Sequence, residues 1–274
     1  MFVLMTSMAP GQSVILSNTS PPRAGLTLRE EIVIKLENGT FSLGIGKQSL
    51  AGSANAMIND IFERVIVTAD QQKVSVAESS RNIRFTIGTQ SEPKDVAGHL
   101  LGKKLVGKKA NGHWTFLLDK QKADATETTA LKQFAGYTEF TEVLGLIFGP
   151  NPHRVGESWK PDLRALKKSA LPLDADLECK LEEVAEYNGE RCAHITVKGH
   201  FIGVLENGGN LNITVNGNIY RSLRDLVDIV TEFTGTFKYS GAFGKGTNGQ
   251  PGSKAEIEAP LKLKLKRTVK VEKR

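Results

Sequence analysis

Apolar and polar side chains alternate along most of the chain. The clearest stretch is 261–271, LKLKLKRTVKV. Leu261, Leu263, Leu265, Val269 and Val271 fall on one side, and Lys262, Lys264, Lys266 and Lys270 on the other. Successive strand side chains point to opposite faces, so this predicts a long strand with one buried and one wet face. The lysines would also discourage edge-to-edge association if the strand is an edge. Similar patterns predict strands at 63–69, 73–78, 82–88, 210–215, 218–224 and 227–240.

Six Asn-Gly dipeptides punctuate these strands, at 38–39, 111–112, 188–189, 207–208, 216–217 and 248–249. Asn-Gly suits a two-residue type I′ hairpin turn, whose two central residues both need positive φ. A turn at Asn38-Gly39 would set Ile32 against Ile45, Ile34 against Leu43 and Leu36 against Phe41. A turn at Asn111-Gly112 sets Leu105 against Leu118 and Gly107 against Phe116. At Asn188-Gly189, strict pairing misaligns the apolar residues. One extra residue near Glu182-Glu183-Val184 restores Leu181–Ile195 and Cys179–Val197, which predicts a β-bulge there.

One segment breaks the period of two. Residues 126–148 place Leu131, Phe134, Tyr137, Phe140, Leu144, Ile147 and Phe148 at helical spacing. Asp124 and Glu127 are placed for a capping box, and Gly149-Pro150 for a stop. A proline-rich connection, 150–163, follows. The expected fold is mainly β (α+β): a large curved antiparallel sheet or half-barrel built of hairpins, with one principal helix packed on it. The expected organisation is an N-terminal extension, 1–24, and a single β-rich domain, 25–272. Its two halves, about 25–120 and 174–272, are joined by the helix and connector.

Composition narrows the class. The 274 residues include 2 Cys, too few for a disulfide framework, and 39% are hydrophobic, close to the globular norm. No apolar run approaches the roughly 20 residues of a membrane-spanning helix. In the predicted hairpin Cys192 lies opposite about residue 185, roughly 20 Å from Cys179, whereas a disulfide needs Cα atoms within about 7 Å. Two free thiols are expected, with Cys179 in the core, which suits a reducing compartment. The net charge of +6 resolves into two basic segments: 94–122 carries seven Lys against two Asp, and 254–274 eight Lys/Arg against three Glu. A solvated lysine face accounts for both. Specific nucleic-acid binding is not expected, because the C-terminal lysine strand has no aromatics among its bases, and Trp114 and Phe116 belong on the core face. Ser7-Met8-Ala9 after an apolar start matches the tail of a signal peptide, and a frayed terminus matches equally well.

Catalytic motifs are absent: there is no HExxH, CxxC or Gly-x-Ser-x-Gly, and the five His lack ligand spacing. No catalytic residue, metal site or cofactor is expected. Gly44-Ile-Gly-Lys47 and Gly241-Ala-Phe-Gly-Lys-Gly-Thr247 fail the phosphate-loop pattern and read as structural, with 244–254 a long exposed loop. Neighbouring acids such as Glu30-Glu31 and Glu182-Glu183 point to opposite faces of a strand unless a bulge intervenes. The helix face of Phe134, Tyr137, Phe140, Leu144 and Phe148 is the candidate ligand-binding surface. The competing reading has these rings plugging the sheet.

A β block, a helix, a proline-rich stretch leading into Val155-Gly-Glu-Ser-Trp159, and Gly189-Glu-Arg-Cys-Ala-His-Ile195 in a hairpin form a recognisable order. It resembles a group of bacterial secreted proteins whose fold is similar to the lipoprotein-carrier (LolA/LppX-like) half-barrels. The resemblance implies an extracytoplasmic, non-catalytic envelope protein that binds an acyl chain, other lipid-like ligand or envelope-protein partner. A cytoplasmic location, a structural or interaction module with a plugged core, and a hydrolase with an unrecognised site are the alternatives.

Overall fold

The computed structural model describes residues 13–17, 24–45, 48–87, 90–164, 173–205, 208–243 and 253–271. In chain order the strands are β1 (Ser13–Val14), β2 (Leu26–Ile45), β3 (Gln48–Thr68), β4 (Gln71–Ile87), β5 (Gln90–Ala97), β6 (Lys104–Ala110) and β7 (His113–Leu118). The helix α1 (Ala125–Leu146) follows. Then come β8 (His153–Arg154), β9 (Ser158–Trp159), β10 (Leu173–Tyr187), β11 (Glu190–Val204), β12 (Asn210–Ser222), β13 (Asp228–Phe243) and β14 (Ser253–Val271). Twelve strands form one antiparallel sheet in the order β7-β6-β4-β3-β2-β14-β13-β12-β11-β10-β9, with β5 on β4. The sheet is curved and unclosed, as expected.

The two outer hairpins follow the sequence arithmetic. Asn111 (φ 53°) and Gly112 (φ 85°) close β6–β7 with Leu105 opposite Leu118 and Gly107 opposite Phe116. Asn188 (φ 53°) and Gly189 (φ 79°) close β10–β11. The register slips between Leu181 and Glu183, giving Leu181–Ile195 and Cys179–Val197. The helix N-terminus is the expected capping box: Glu127 N–H donates to Asp124 Oδ1 (2.7 Å), and Asp124 N–H to Glu127 Oε2 (3.0 Å).

Two other Asn-Gly pairs are not turns. Strand β2 runs straight through Asn38-Gly39. Only Asn38 has positive φ (55°), and the pair forms a bulge against both β3 and β14. Ile32, Ile34 and Leu36 pair with Leu265, Leu263 and Leu261 rather than with Ile45, Leu43 and Phe41. Alternation sets which face is apolar, and any strand in the same phase satisfies it. Asn216-Gly217 lies inside β12, merging the expected 210–215 and 218–224 strands. Gly217 is there for space: a Cβ would stand 1.9 Å from the Glu232 carbonyl oxygen of β13. The 73–78 and 82–88 strands likewise merge into β4. Strand β14 is central, between β13 and β2, so its lysines guard no edge. Two of them pair across strands instead, Lys262 with Glu37 (2.8 Å) and Lys264 with Glu232. Asn207, Asn248-Gly249 and most of the 244–254 loop lie outside the described residues.

One helix turn shows how strongly the sheet curls. Glu142 accepts a hydrogen bond from Trp114 Nε1 of β7 (2.9 Å), while Phe140 packs edge-on to Phe201 of β11 (6.4 Å between centroids). Eight strand spacings separate β7 from β11, about 38 Å in a flat sheet. A helix is about 10 Å across. The sheet therefore wraps α1, and the helix lies on its concave face. The core has two main parts. One joins Leu131, Phe134 and Ala135 to β2, β3, β4, β6, β7 and β14. The other joins Ile147 and Phe148 to β10, β11 and β12, with Leu16 inserted. Cys179 and Cys192 are buried and unbridged, on opposite faces of the sheet.

Replacement Gly217→Ala is expected to cost about 3 kcal/mol by forcing β12 from β13, whereas Gly112→Ala costs about 1 kcal/mol through its positive φ alone. Thermal melts of the two variants side by side check the difference.

Candidate functional site

The rings proposed from the sequence are distributed between the two cores. Phe134 is buried and meets Phe62 (5.0 Å) and Phe116 (4.8 Å) edge-on. Tyr137 tilts against Phe62 and Phe134, each at 6.3 Å. Phe140 meets Phe201. Phe148, two residues beyond α1, is buried beneath the Arg221 guanidinium (4.9 Å). The side chain of Leu144 lies outside the described residues. These rings are in contact with the sheet, filling the end of the half-barrel that the helix occupies.

Past the helix, the same face continues uncovered. Leu36 and Leu43 of β2, Ala56 and Ile58 of β3, Ile83 and Phe85 of β4, Phe237 and Tyr239 of β13 and Ile257 of β14 stay in the concave phase and are half-buried. None joins the two core clusters that hold helix residues. Phe41 stands among them, edge-on to Phe85 (5.2 Å). On β3–β4, Asp60 and Arg81 close the helix side of this trough with a two-pronged ion pair (2.7 and 2.9 Å). Sequence reasoning missed the trough because it assigned part of this apolar phase, Ile32 to Ile45, to a hairpin of its own. Correct strand lengths would have shown more apolar face than one helix can cover.

The outer face is mostly polar, with Met57, Leu117, Ile202 and Val204 exposed on it. A groove of about 660 Å³ crosses it, lined mostly by outward-facing residues such as Thr40, Ser42, Asn212, Ser240 and the ion pair Lys238–Glu258 (2.8 Å). A second hollow of about 280 Å³ adjoins the β10 bulge. Its Glu182 accepts hydrogen bonds from Lys180 Nζ (2.6 Å) and Thr196 Oγ1 (2.9 Å), and the lysine contact lowers its pKa. Glu178 pairs with Lys198 (3.2 Å). Each carboxylate is thus neutralised by a lysine. Burial raises the Cys179 thiol to about 12 and the Cys192 thiol to about 11, leaving neither a ready nucleophile. Among the described residues no group of His, Cys, Asp or Glu converges as metal ligands, and no helix is long and apolar enough to cross a membrane.

Beneath α1 the apolar phase is broken by charge. Glu30 of β2 accepts hydrogen bonds from Arg64 Nη2 of β3 (3.1 Å) and Arg267 Nε of β14 (2.7 Å), all three side chains being at least nine-tenths buried. Arg64 Nη1 donates to Gln72 Oε1 of β4 (2.7 Å) and to Thr138 Oγ1 of the helix (3.3 Å). Burial alone would raise the Glu30 pKa, but the two guanidiniums outweigh it and hold it at about 2. Burial raises Tyr137 above the usual tyrosine value. Nearby, Arg221 binds Asp228 (2.5 Å) and reaches the Leu16 (2.5 Å) and Gly145 (3.2 Å) carbonyls, tying β12 to the N-terminal segment and the helix end. Glu30 and Glu31 do point to opposite faces: Glu31 is paired with Arg29 (3.5 Å) at the surface. The buried network had a sequence signal that was not read. Glu30, Arg64, Gln72 and Arg267 each occupy an apolar-phase position of their strand.

No family model matches the chain, and no curated protein matches it. Among solved structures the chain is similar to one concerned with lipid–protein interactions in lipovitellin. The identity is 9% and the TM-score 0.47, over 92% of this chain and 26% of that one. The chain thus spans about a quarter of that structure's length. A DUF1329 family protein from Desulfovibrio piger matches at 8% identity and TM-score 0.16, over 90% and 85% of the two chains. P47 from Clostridium botulinum matches at 7% and 0.15, over 83% and 80%. At these identities and scores none of them assigns a ligand to this chain.

The pH dependence of stability follows from Glu30. Its folded-state pKa of about 2 lies below the ordinary 4.5. Its contribution is therefore complete above the ordinary value and is lost as pH falls towards 2. Glu30→Gln leaves two buried guanidiniums without their carboxylate and is expected to cost about 3–5 kcal/mol at pH 7. Urea unfolding at pH 7 and pH 3 is expected to show a smaller difference in Glu30→Gln than in the wild type.

Proposed function

We propose that the protein is a non-catalytic envelope binding protein that holds an apolar ligand, an acyl chain or the acyl part of a lipidated partner, in the open trough of its sheet. The carrying observation is the stretch of concave face from Leu36 to Leu43 and across to Ile83, Phe237 and Ile257, apolar and half-buried yet outside both helix-bearing cores. An apolar surface extended over several strands and rimmed by polar residues is a usual form for a ligand site. A fully plugged interaction module accounts for the helix end of the half-barrel and leaves the other end unexplained. The paired carboxylates and protonated thiols favour binding over chemistry.

Native mass spectrometry of protein extracted from cells, and of delipidated protein offered palmitate, tests this reading. A co-purifying acyl ligand or uptake of palmitate is expected. Ile83→Asp, which sets a charge in the trough away from both cores, is expected to weaken uptake about tenfold or more while the melting temperature changes little. A clean apo mass with no uptake would sink the proposal.

A further inference from the structure

Among the described residues, the side chains joined to the buried network under α1 carry more positive than negative charge. Arg64, Arg267 and Arg221 supply three positive charges to this layer, and Glu30 and Asp228 supply two negative ones, all largely withdrawn from solvent. Glu139, on the far side of the helix, is already engaged by the Trp114 N–H (2.8 Å) and His113 (3.5 Å). Two buried polar atoms in contact with the network have no acceptor to donate to: the Tyr137 hydroxyl, which Arg267 approaches as a donor, and Gln72 Nε2. Arg267 stands near the Tyr137 oxygen, which leaves that hydroxyl its proton to give. Both orphans can therefore donate, so the network lacks an acceptor and a negative charge together. A water molecule could accept the two hydrogen bonds but would leave the charge.

We propose that this network is a carboxylate-binding site, formed by Arg64, Arg267, Tyr137 and Gln72 between the helix and the floor of β2, β3, β4 and β14. A planar carboxylate matches the guanidinium fork and accepts from hydroxyl and amide donors with its remaining lone pairs. The same chemistry is offered by a small free carboxylate and by the acidic head of an amphiphile. The site is offset from the apolar trough along the strands: the row of Ile32 and Leu265 lies between the Glu30–Arg267 row and the trough.

Melting temperatures of the full chain in sodium formate, acetate and a bulky sulfonate at one ionic strength test the site. Formate or acetate is expected to raise the melting temperature by about 3 °C over the sulfonate, because a ligand bound only to the folded state stabilises it. Gln72→Glu places a carboxylate inside the network and is expected to stay folded and lose this response. Tyr137→Phe, which removes one donor and no charge, is expected to weaken apparent formate affinity at least threefold. Titration with palmitate and hexadecanol then separates the sources. A preference of tenfold or more for palmitate, lost in Gln72→Glu, assigns the site to an amphiphile's head. A formate response with both chains bound alike assigns it to a free carboxylate. Equal melting temperatures in all three salts overturn the site, as does a response that survives unchanged in Gln72→Glu. Uptake of hexadecanol without any formate response would leave the trough proposal standing and this one refuted.

Discussion

The seam between β2 and β14 is where this architecture is decided. It joins the first long strand to the last, with partners as distant in sequence as Glu30 and Arg267. Such a closure is entropically costly and must be specified against other pairings. Part of the specification is apolar, Ile32, Ile34 and Leu36 facing Leu265, Leu263 and Leu261. A slip by two residues would preserve that match. It would not preserve Glu30 between Arg64 and Arg267, because a buried carboxylate displaced from its guanidiniums is too costly to tolerate. Apolar phase and buried charge together leave one register.

With the seam closed, the sheet is long enough to curl and too open to close. Its concave face needs a cover, and one helix supplies it for one end only. That division explains why the aromatic residues of α1 serve as packing, while the apolar trough lies at the opposite end of the same strands. It also explains why the helix interface is mixed. Thr138 and Tyr137 sit over the charged layer, Phe134 lies against both the Arg64 guanidinium and Phe62, and Phe140 packs on Phe201.

Local signals in the sequence were reliable where local geometry was enough. Asn111-Gly112 and Asn188-Gly189 close hairpins because both residues adopt positive φ and the flanking residues pair in phase. The bulge after Leu181 was legible because apolar mismatch on both sides demanded one extra residue. The same dipeptide at 38–39 and 216–217 sits within strands, since long-range partners on both sides outweigh a turn preference. The candidate site was legible only in part. The aromatic helix face was visible from its spacing, whereas the trough depends on strands from both ends of the chain converging, which no local window contains. The charged layer stood in plain view as polar residues in apolar phase, yet its partners could not be matched without knowing that β14 lies beside β2.

By itself the sequence determined the class of structure: strands with one apolar face, a capped helix with an aromatic face, and two unbridged thiols. These follow from periodicity, capping and spacing, which act within a few residues. The tertiary structure alone decided which apolar rows meet, how far the sheet curls around the helix, and which face is left uncovered. Periodicity assigns a side chain to a face, but only long-range pairing decides what that face is buried against.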